Sequence, residues 1–230
     1  MTLLTRTLVL FLLTALIATF VLADDDKSRW LSKDQEQALS DTVPAPPAID
    51  SKEDQADFAT ILDAQKDRTS GTIAESKRYQ GFSYKLFDDI YGKELTADRV
   101  PKFHKLMKET LEITRVVNET AKNKYKRVRP YQEHPMQVHA LFSVGGYSYP
   151  SGHSMGSFTL AVVLGAVFPE KAQAFLDRAA QIAQSRVDAG VHNPSDIKEG
   201  EILGKATGAA ILASPAFQQD LAEVKSELAK

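Results

Sequence analysis

The sequence predicts an all-α protein with a single domain, a helical bundle built around a central buried helix. Between Val100 and Val117, apolar residues recur at roughly 3.6-residue spacing, which is typical of one face of a long helix. From Ser154 to Phe168 the chain is apolar on nearly all sides, which indicates a helix with little contact with water. No stretch alternates convincingly between apolar and polar residues, as a half-buried strand would.

The N-terminal residues predict a cleavable secretory signal. Arg6 precedes an apolar run from Leu8 to Leu22, and polar residues follow Ala23. This order is typical of a signal peptide, so we predict that residues 1–23 are removed by cleavage after Ala23. The mature protein would then be periplasmic or secreted. A retained membrane anchor is the alternative, although the run is short for a span of about 20 residues. After cleavage, no stable association with a membrane is expected.

The composition limits the classes of partner and chemistry. The 230 residues carry 28 Lys and Arg against 30 Asp and Glu, and Arg6 is the one cation of residues 1–23. The mature chain therefore has 28 minus one, or 27, cations against 30 acids, which does not favour a nucleic-acid partner. The absence of cysteine excludes disulfides, thiolate catalysis and cysteine zinc sites. The oligomeric state is left open, a homodimer being one option.

The mature chain is predicted to consist of a lead-in and one domain. Residues 24–50 are polar and end in the proline-rich stretch from Val43 to Pro47, which predicts an extended segment. The all-α domain is predicted over residues 51–230. Ser51 is placed as the N-cap of its first helix, and a second helical region is expected to end at Gly92.

The later helices are bounded by caps and prolines. The long helix is predicted to begin at Thr96 and run to about Arg127, before Pro130 and a loop over residues 131–150. After the central helix, further helices are predicted to begin at Pro169, at Ser195 or Asp196, and at Ser214-Pro215.

The first candidate motif is the basic stretch from Lys122 to Pro130. Lys122 and Arg129 are seven residues apart, a net rotation of about −20° on a helix, so both are expected on one helix face. Pro130 ends the helix and would expose the guanidinium, which can grip two oxygens of a phosphoryl group. A solvated helix C-terminus is the alternative for this stretch. Three other cations are expected to project elsewhere: Lys124, Lys126 and Arg127.

The second motif runs from Pro150 to His153, at the start of the central helix. Free N–H groups at that helix end, with Gly152 lacking a side chain, would form a cradle for an anion. The Ser151 hydroxyl adds a donor, and His153 would stand at the edge of the cradle. An ordinary capped turn is the alternative. A serine nucleophile is disfavoured because the surrounding residues form no Gly-x-Ser-x-Gly elbow.

The third motif contains Arg186, His192 and Asp196. Asp196 follows the histidine by four residues and can accept a hydrogen bond from its Nδ1–H, which leaves Nε2 available to attack. A helix N-cap is the alternative role for Asp196. Asp188 is a competitor that should lie on the wrong side of Gly190. Three other histidines are expected to be structural or on the surface: His104, His134 and His139.

Together, Lys122-x6-Arg129-Pro130, Pro150-Ser151-Gly152-His153 and Ser185-Arg186-x5-His192-x3-Asp196 resemble the three-part signature of the phosphatidic-acid-phosphatase type 2 superfamily. With the signal peptide, the chain looks like the secreted bacterial class A non-specific acid phosphatases. The resemblance implies a fold similar to those of acid phosphatases and vanadium haloperoxidases.

The resemblance also implies a role for each motif residue. His192 would be the nucleophile and form a phosphohistidine, Asp196 would orient it, and His153 would protonate the leaving alkoxide. The phosphate-binding set would comprise Lys122, Arg129, Ser151, Gly152 and Arg186. No metal or other cofactor is expected.

The predicted function is hydrolysis of small phosphate monoesters at mildly acidic pH, where His153 would keep its proton. Vanadate is expected to inhibit by mimicking the transition state. The alternatives are a phosphatase for lipid phosphates or polyprenyl pyrophosphates, a vanadium-dependent haloperoxidase and a non-catalytic phosphate-binding protein. The pocket walls are predicted to come from the segment Tyr79–Phe87 and from Tyr131, His134, Met136, His139, Phe142 and Tyr147.

Overall fold

A computed structural model describes residues 30–91 and 95–230, so the predicted signal and Gly92 lie outside the described residues. Within those two ranges all regular structure is helical. The α-helices are α1 (Lys33–Asp41), α2 (Lys52–Lys66), α3 (Ser70–Arg78), α4 (Asp88–Tyr91), α5 (Pro101–Tyr125), α6 (Pro130–Glu133), α7 (Gly152–Val167), α8 (Ala172–Asp188), α9 (Pro194–Ala213) and α10 (Pro215–Leu228), with 3₁₀ turns at Tyr84–Phe87 and Pro169–Lys171.

Helix α7 is the centre of the bundle, and the predicted all-α fold with a central buried helix is confirmed. It packs most extensively against α9 and α8, and also against α5. Its fully buried side chains include Met155, Leu160, Val163 and Leu164. Burial on all sides explains why this segment is apolar around its whole circumference. No helix in the described part of the chain is both long and apolar enough to cross a membrane.

The contact between α7 and α9 is made through glycines spaced four residues apart on α9. A β-carbon at Gly200 would lie 2.6 Å from the carbonyl oxygen of Ser151, and one at Gly204 would overlap the carbonyl oxygen of Met155. Gly208 faces a later turn of α7, so the two helices run parallel. Glycine is required here because the backbones approach too closely for any side chain.

The end of α5 differs from the prediction. The helix begins at Pro101 and ends at Tyr125, because Lys126 adopts the left-handed conformation (φ 52°) and terminates it. Arg129 has extended backbone angles and precedes the short helix α6. The prediction that Lys122 and Arg129 share one helix face is therefore wrong.

The prediction that residues 24–50 form an extended lead-in is wrong for Lys33–Asp41, which form α1. Ser32 caps this helix in a reciprocal capping box with Gln35. Trp30 is buried and packs edge-to-face on Phe217, with ring centroids 5.0 Å apart. Helix α1 is attached to the core through the buried apolar residues at its two ends, Trp30 and Leu31 before it and Val43 after it.

Candidate active site

A buried histidine and carboxylate meet where α8 passes into α9. Gly190 turns the chain with φ +71°, and α9 begins two residues after His192. His192 is 2% exposed and Asp196 is 0% exposed, and Nδ1 of the ring lies 3.2 Å from Oδ2 of the carboxylate. The contact that the four-residue spacing predicts is therefore present. Asp196 also accepts the N–H of Asn193 at 2.8 Å, so it caps the helix as well.

The neighbours of His192 determine its tautomer. Nη1 of Arg129 lies 3.0 Å from Nε2, and because a guanidinium can only donate, Nε2 must accept. The proton therefore resides on Nδ1, where it is donated to Asp196. Burial, with the charges of Arg129 and Lys122, lowers the pKa of His192 well below its ordinary value, despite the opposing effect of Asp196. His192 is thus neutral, with a lone pair on Nε2.

The Asp196 carboxylate accepts hydrogen bonds on both oxygens. Oδ2 accepts the Ser148 hydroxyl and the Asn193 N–H in addition to His192, and Oδ1 accepts Nη1 of Arg127 at 2.9 Å. Burial on its own would raise the pKa of Asp196, but the hydrogen bond from His192 and the charge of Arg127 outweigh it and lower the pKa to about 2. Asp196 is therefore an ionised acceptor throughout the mildly acidic range.

Arg129 is held beside His192 by a loop of carbonyl oxygens. Its side chain donates from Nε to Gly146 at 3.1 Å, from Nη2 to Gly145 at 2.9 Å and from Nη1 to Val191 at 2.9 Å. The arginine is only 3% exposed. Because these acceptors come from two separate segments, the guanidinium plane is fixed at the place where the loop meets the end of α8.

Lys122 and Arg129 converge on the same loop although they do not share a helix. The Lys122 ammonium donates to the carbonyl oxygens of Tyr147 at 2.5 Å and Ser148 at 3.1 Å. Arg129 reaches the Tyr147 oxygen at 3.3 Å. Burial and the nearby charge of Arg129 lower the pKa of Lys122 to about 7. The ammonium group therefore loses its charge near neutral pH.

Arg186 is a fully buried cation, and two of its nitrogen donors are unpaired within the described ranges. Nη1 donates to the carbonyl oxygen of Tyr79 at 3.0 Å, and the guanidinium lies 5.2 Å from the ring centroid of Phe142. Nε and Nη2 have no hydrogen-bond partner among the described residues. Burial and the charge of Arg129 lower the pKa of Arg186 to about 10. Unpaired buried donors cost free energy, and an anion with several oxygens would satisfy them.

The second motif forms the N-terminus of α7. The Ser151 hydroxyl accepts the N–H of Ser154 at 3.4 Å, and the Ser151 N–H donates to the Asp196 carbonyl at 2.9 Å. A β-carbon at Gly152 would lie 3.0 Å from Oδ1 of Asn118. Glycine therefore keeps the start of α7 close to α5, which carries Lys122.

His153 borders the same region, and its surroundings disfavour its charged form. Nε2 lies 3.2 Å from the carbonyl oxygen of Gln80, and the ring centroid is 5.1 Å from that of Phe82. Burial, with the charges of Arg186 and Arg129, lowers the pKa of His153 to about 3. The expectation that His153 keeps its proton at mildly acidic pH is therefore wrong for the ligand-free protein.

Two contributors to the site were missed by sequence reasoning. Arg127 was expected to project elsewhere, yet it binds Asp196, and Ser148 was assigned no role, yet its hydroxyl binds the same carboxylate. Arg127 was missed because the helix was predicted to run to about that residue, and residues two apart on a helix do not share a face. For Ser148 the spacing offered no signal.

The candidate residues lie in the part of the chain that matches a known protein family. A sequence profile of the PAP2 superfamily matches residues 109–220, which include every motif residue from Lys122 to Asp196. Over residues 109–220 the chain is similar to the PAP2 superfamily. The resemblance predicted from the three motifs is confirmed at this level.

Among its relatives, this protein is 32% identical over 150 residues to a non-specific acid phosphatase of Providencia stuartii. The match covers 63% of this chain and 60% of the relative, so the chain spans about 60% of the length of that relative. This similarity agrees with the branch of the superfamily that the motifs predicted.

Two solved structures share the fold of this protein. A bacterial vanadium-dependent iodoperoxidase superposes with a TM-score of 0.61 and 16% identity, covering 79% of this chain and 54% of the other. A transmembrane PAP2-type phosphatidylglycerolphosphate phosphatase from Bacillus subtilis superposes with a TM-score of 0.54 and 22% identity, covering 80% and 92%. At these identities the likeness concerns the fold.

The first two motifs border a cavity of about 620 Å³, whereas Arg186, His192 and Asp196 of the third motif do not line it. Lys122, Gly152 and His153 line one part of it, and Phe82 and Tyr147 line another, as predicted for those two walls. The other predicted wall residues do not line this cavity: Tyr131, His134, Met136, His139 and Phe142. His134 instead packs on Phe58, with ring centroids 4.1 Å apart.

The remaining buried histidine is structural, as expected. His104 makes hydrogen bonds to the Tyr84 hydroxyl at 2.6 Å and to the Leu95 carbonyl at 2.7 Å. Across the described ranges, no group of three or more His, Asp or Glu side chains is arranged to hold a metal ion.

Proposed function

We propose that this protein is a periplasmic or secreted acid phosphatase that hydrolyses phosphate monoesters through a phosphohistidine, without a metal ion. One observation carries the proposal: the buried His192 presents a lone pair on Nε2 while Asp196 accepts its Nδ1 proton. A neutral imidazole in this tautomer is a nucleophile. The similarity to non-specific acid phosphatases supports phosphate monoesters as the substrates.

In the first step, Arg129 exchanges its hydrogen bond to Nε2 of His192 for one to a phosphoryl oxygen, and the freed lone pair of Nε2 attacks the phosphorus atom. The new N–P bond forms while the bond from phosphorus to the ester oxygen breaks, and its electron pair leaves with that oxygen. His153 gives a proton to the leaving oxygen. The imidazole is then positively charged, and the ionised Asp196 stabilises it through the Nδ1–H hydrogen bond.

In the second step, water attacks the phosphohistidine. His153, now neutral, accepts a proton from this water, and the N–P bond breaks with its electron pair returning to Nε2. Inorganic phosphate leaves, and both histidines return to their starting protonation states.

Three cations account for binding of the phosphoryl oxygens. Arg186 contributes its two unpaired nitrogens, and Lys122 and Arg129 stand beside the nucleophile. Negative charge accumulates on the equatorial oxygens in the transition state, so fixed cations there lower the barrier. Burial and the charges of Arg186 and Arg129 hold His153 neutral in the ligand-free protein. A bound dianion offsets those charges and so favours protonation of His153 once substrate is present.

The cavity leaves room for the rest of the ester. Its volume of about 620 Å³ lies in the range of small-molecule sites, and its walls combine the Phe82 and Tyr147 rings with polar side chains. An organic leaving group can therefore lie in the cavity while the phosphoryl group lies against Lys122 and Gly152.

The pH dependence of anion binding should follow Lys122. Its ammonium is charged below its lowered pKa of about 7 and neutral above it. Sulfate remains a dianion across this range, so we expect its affinity to fall as the pH rises through about 7, by up to tenfold per unit. Isothermal titration calorimetry between about pH 5.5 and pH 8.5 measures this dependence.

The matched variant for this measurement is Lys122→Arg, whose guanidinium stays charged across the whole range. Its sulfate affinity should be nearly constant where that of the wild type falls. A wild-type affinity that does not change across neutral pH would contradict the assignment of Lys122 as a phosphate-binding cation.

Hydrolysis of p-nitrophenyl phosphate with and without EDTA tests the proposed function. We expect full activity in EDTA and inhibition by orthovanadate, which mimics the five-coordinate phosphoryl group. Nucleotides, sugar phosphates, phytate and a lipid phosphate in vesicles complete the panel. Strong inhibition by EDTA would overturn the metal-independent mechanism. A clear preference for the lipid phosphate, or halide oxidation by peroxide after vanadate loading without phosphatase activity, would overturn the proposed substrate class.

A further inference from the structure

We propose that Arg127 is a positioning residue for the reaction of His192, and that Asp57 of α2 holds Arg127 in place. Arg127 would act through the carboxylate of Asp196, without contact with the substrate. This inference rests on the proposed function, because it takes His192 as the nucleophile.

The Arg127 guanidinium bridges two parts of the molecule. Nη1 donates to Oδ1 of Asp196 at 2.9 Å and to the Ser195 hydroxyl at 2.7 Å, both at the start of α9. Nη2 donates to Oδ1 of Asp54 at 2.9 Å and to Oδ2 of Asp57 at 3.2 Å, both on α2. The arginine side chain is 8% exposed. A planar guanidinium is suited to such a bridge because its donors diverge in fixed directions.

Arg127 binds the side of the Asp196 carboxylate that faces away from the histidine. His192 contacts Oδ2, whereas Arg127 contacts Oδ1. The χ2 torsion of aspartate is soft, and rotation about it moves both oxygens together, so a donor on Oδ1 helps to hold Oδ2 against His192. Donors on both oxygens fix its plane, and through it the direction of the Nδ1–H bond and of the lone pair on Nε2.

Asp57 fixes the other end of this bridge. Its carboxylate accepts the N–H of Ser195 at 2.9 Å and the hydroxyl of the same serine, in addition to Arg127. Its side chain is 7% exposed. Asp57 therefore ties α2 directly to the first turn of α9, next to Asp196.

The bridge brings in a part of the chain that the family profile does not include. The profile matches residues 109–220, and α2 lies before them. The three acidic partners of Arg127 are buried or nearly so, with side-chain exposures of 16% for Asp54, 7% for Asp57 and 0% for Asp196. Removing one partner of a buried ion pair leaves the other without compensation, so this network should respond strongly to substitution.

Two substitutions test the proposal, Arg127→Met and Asp57→Asn. We expect each to lower kcat for p-nitrophenyl phosphate, by about 10²-fold for Arg127→Met, because a misdirected nucleophile costs that much. Sulfate affinity should stay within about threefold of the wild type, because Lys122, Arg129 and Arg186 are untouched. Arg127→Lys should recover part of the lost kcat, since it restores the charge without the planar fork.

Arg178→Met provides a matched control. Arg178 also makes a two-nitrogen ion pair with an aspartate, Asp89, at 2.8 and 2.7 Å. It lies eight residues before Arg186 on α8, about 12 Å along the helix. Its loss should leave kcat and sulfate affinity unchanged.

The ¹⁵N chemical shifts of the His192 ring give a readout independent of turnover. The wild type should show a protonated Nδ1 and an unprotonated Nε2. In the two variants Arg129 still keeps Nε2 unprotonated, and the Nδ1 shift should change because its hydrogen bond to Asp196 is altered. A kcat within about threefold of the wild type, or equal losses of kcat and sulfate affinity, would overturn the proposal. If the wild type hydrolyses no phosphate ester, the proposed function fails, whereas unchanged ring shifts in Asp57→Asn and Arg127→Met would refute the positioning role alone.

Discussion

Replacing His192 with alanine should lower kcat for p-nitrophenyl phosphate by at least about 10⁴-fold, the size of effect seen when a nucleophile or its base is removed. The imidazole supplies the only protein atom that the proposed mechanism bonds to phosphorus, and the direction of its lone pair is fixed by Arg129 and Asp196. Single-turnover and steady-state kinetics measure the loss. Sulfate should still bind, because the three phosphate-binding cations remain.

Trapping of the phosphoenzyme distinguishes loss of the nucleophile from general damage. Rapid quenching of the wild type with labelled substrate should yield a phosphoryl group that is stable in base and labile in acid, as a phosphohistidine is. His192→Ala should yield none. His139→Ala is the matched control, since His139 is exposed and does not line the cavity, and it should behave like the wild type. Normal turnover in His192→Ala would refute the mechanism.

The second large effect is on stability. Replacing Gly204 with alanine should lower the free energy of unfolding by about 2–4 kcal/mol, because the added methyl group would overlap the carbonyl oxygen of Met155 and lie 3.1 Å from its Cα. Both are backbone atoms, so the strain can be relieved only by separating α7 from α9. Urea unfolding followed by circular dichroism measures the loss.

Gly71→Ala is the control for the Gly204 substitution. Gly71 lies in the first turn of α3, and the nearest atom to an added β-carbon is the Thr69 hydroxyl at 3.6 Å, an ordinary contact. Alanine there should stabilise the protein by about 0.4–1 kcal/mol, through the lower entropy of the unfolded chain. If both variants lost the same stability, close packing of α7 on α9 would not be the cause.

Local patterns were enough to predict most of the fold and the contact of His192 with Asp196. The apolar circumference of α7, the caps at Ser51 and Ser214 and the four-residue spacing of the histidine and the aspartate all express interactions between near neighbours in the chain. Such interactions are set by helix geometry, which the sequence displays directly.

Features that depend on distant partners could not be predicted in this way. Helix α1 is polar, and its place in the bundle depends on burial of its apolar flanks by distant elements. Arg129 reaches Lys122 because both bind the carbonyl oxygens of one loop, although the spacing suggested a shared helix face. The role of Arg127 depends on acids of α2 that lie 70 and 73 residues away in the chain.

The parallel arrangement of α7 and α9 brings their N-termini together, where the Ser151 N–H meets the Asp196 carbonyl. Each terminus carries about half a positive charge from aligned peptide dipoles, and Lys122, Arg129 and Arg186 lie at the same end of the bundle. Like charges would normally relax by separating, but the glycine contacts fix the backbone spacing of the two helices. The ionised Asp196 offsets part of this positive charge. Under the proposed function a bound phosphate dianion would offset more of it, so the packing of α7 on α9 would contribute to the affinity for phosphate.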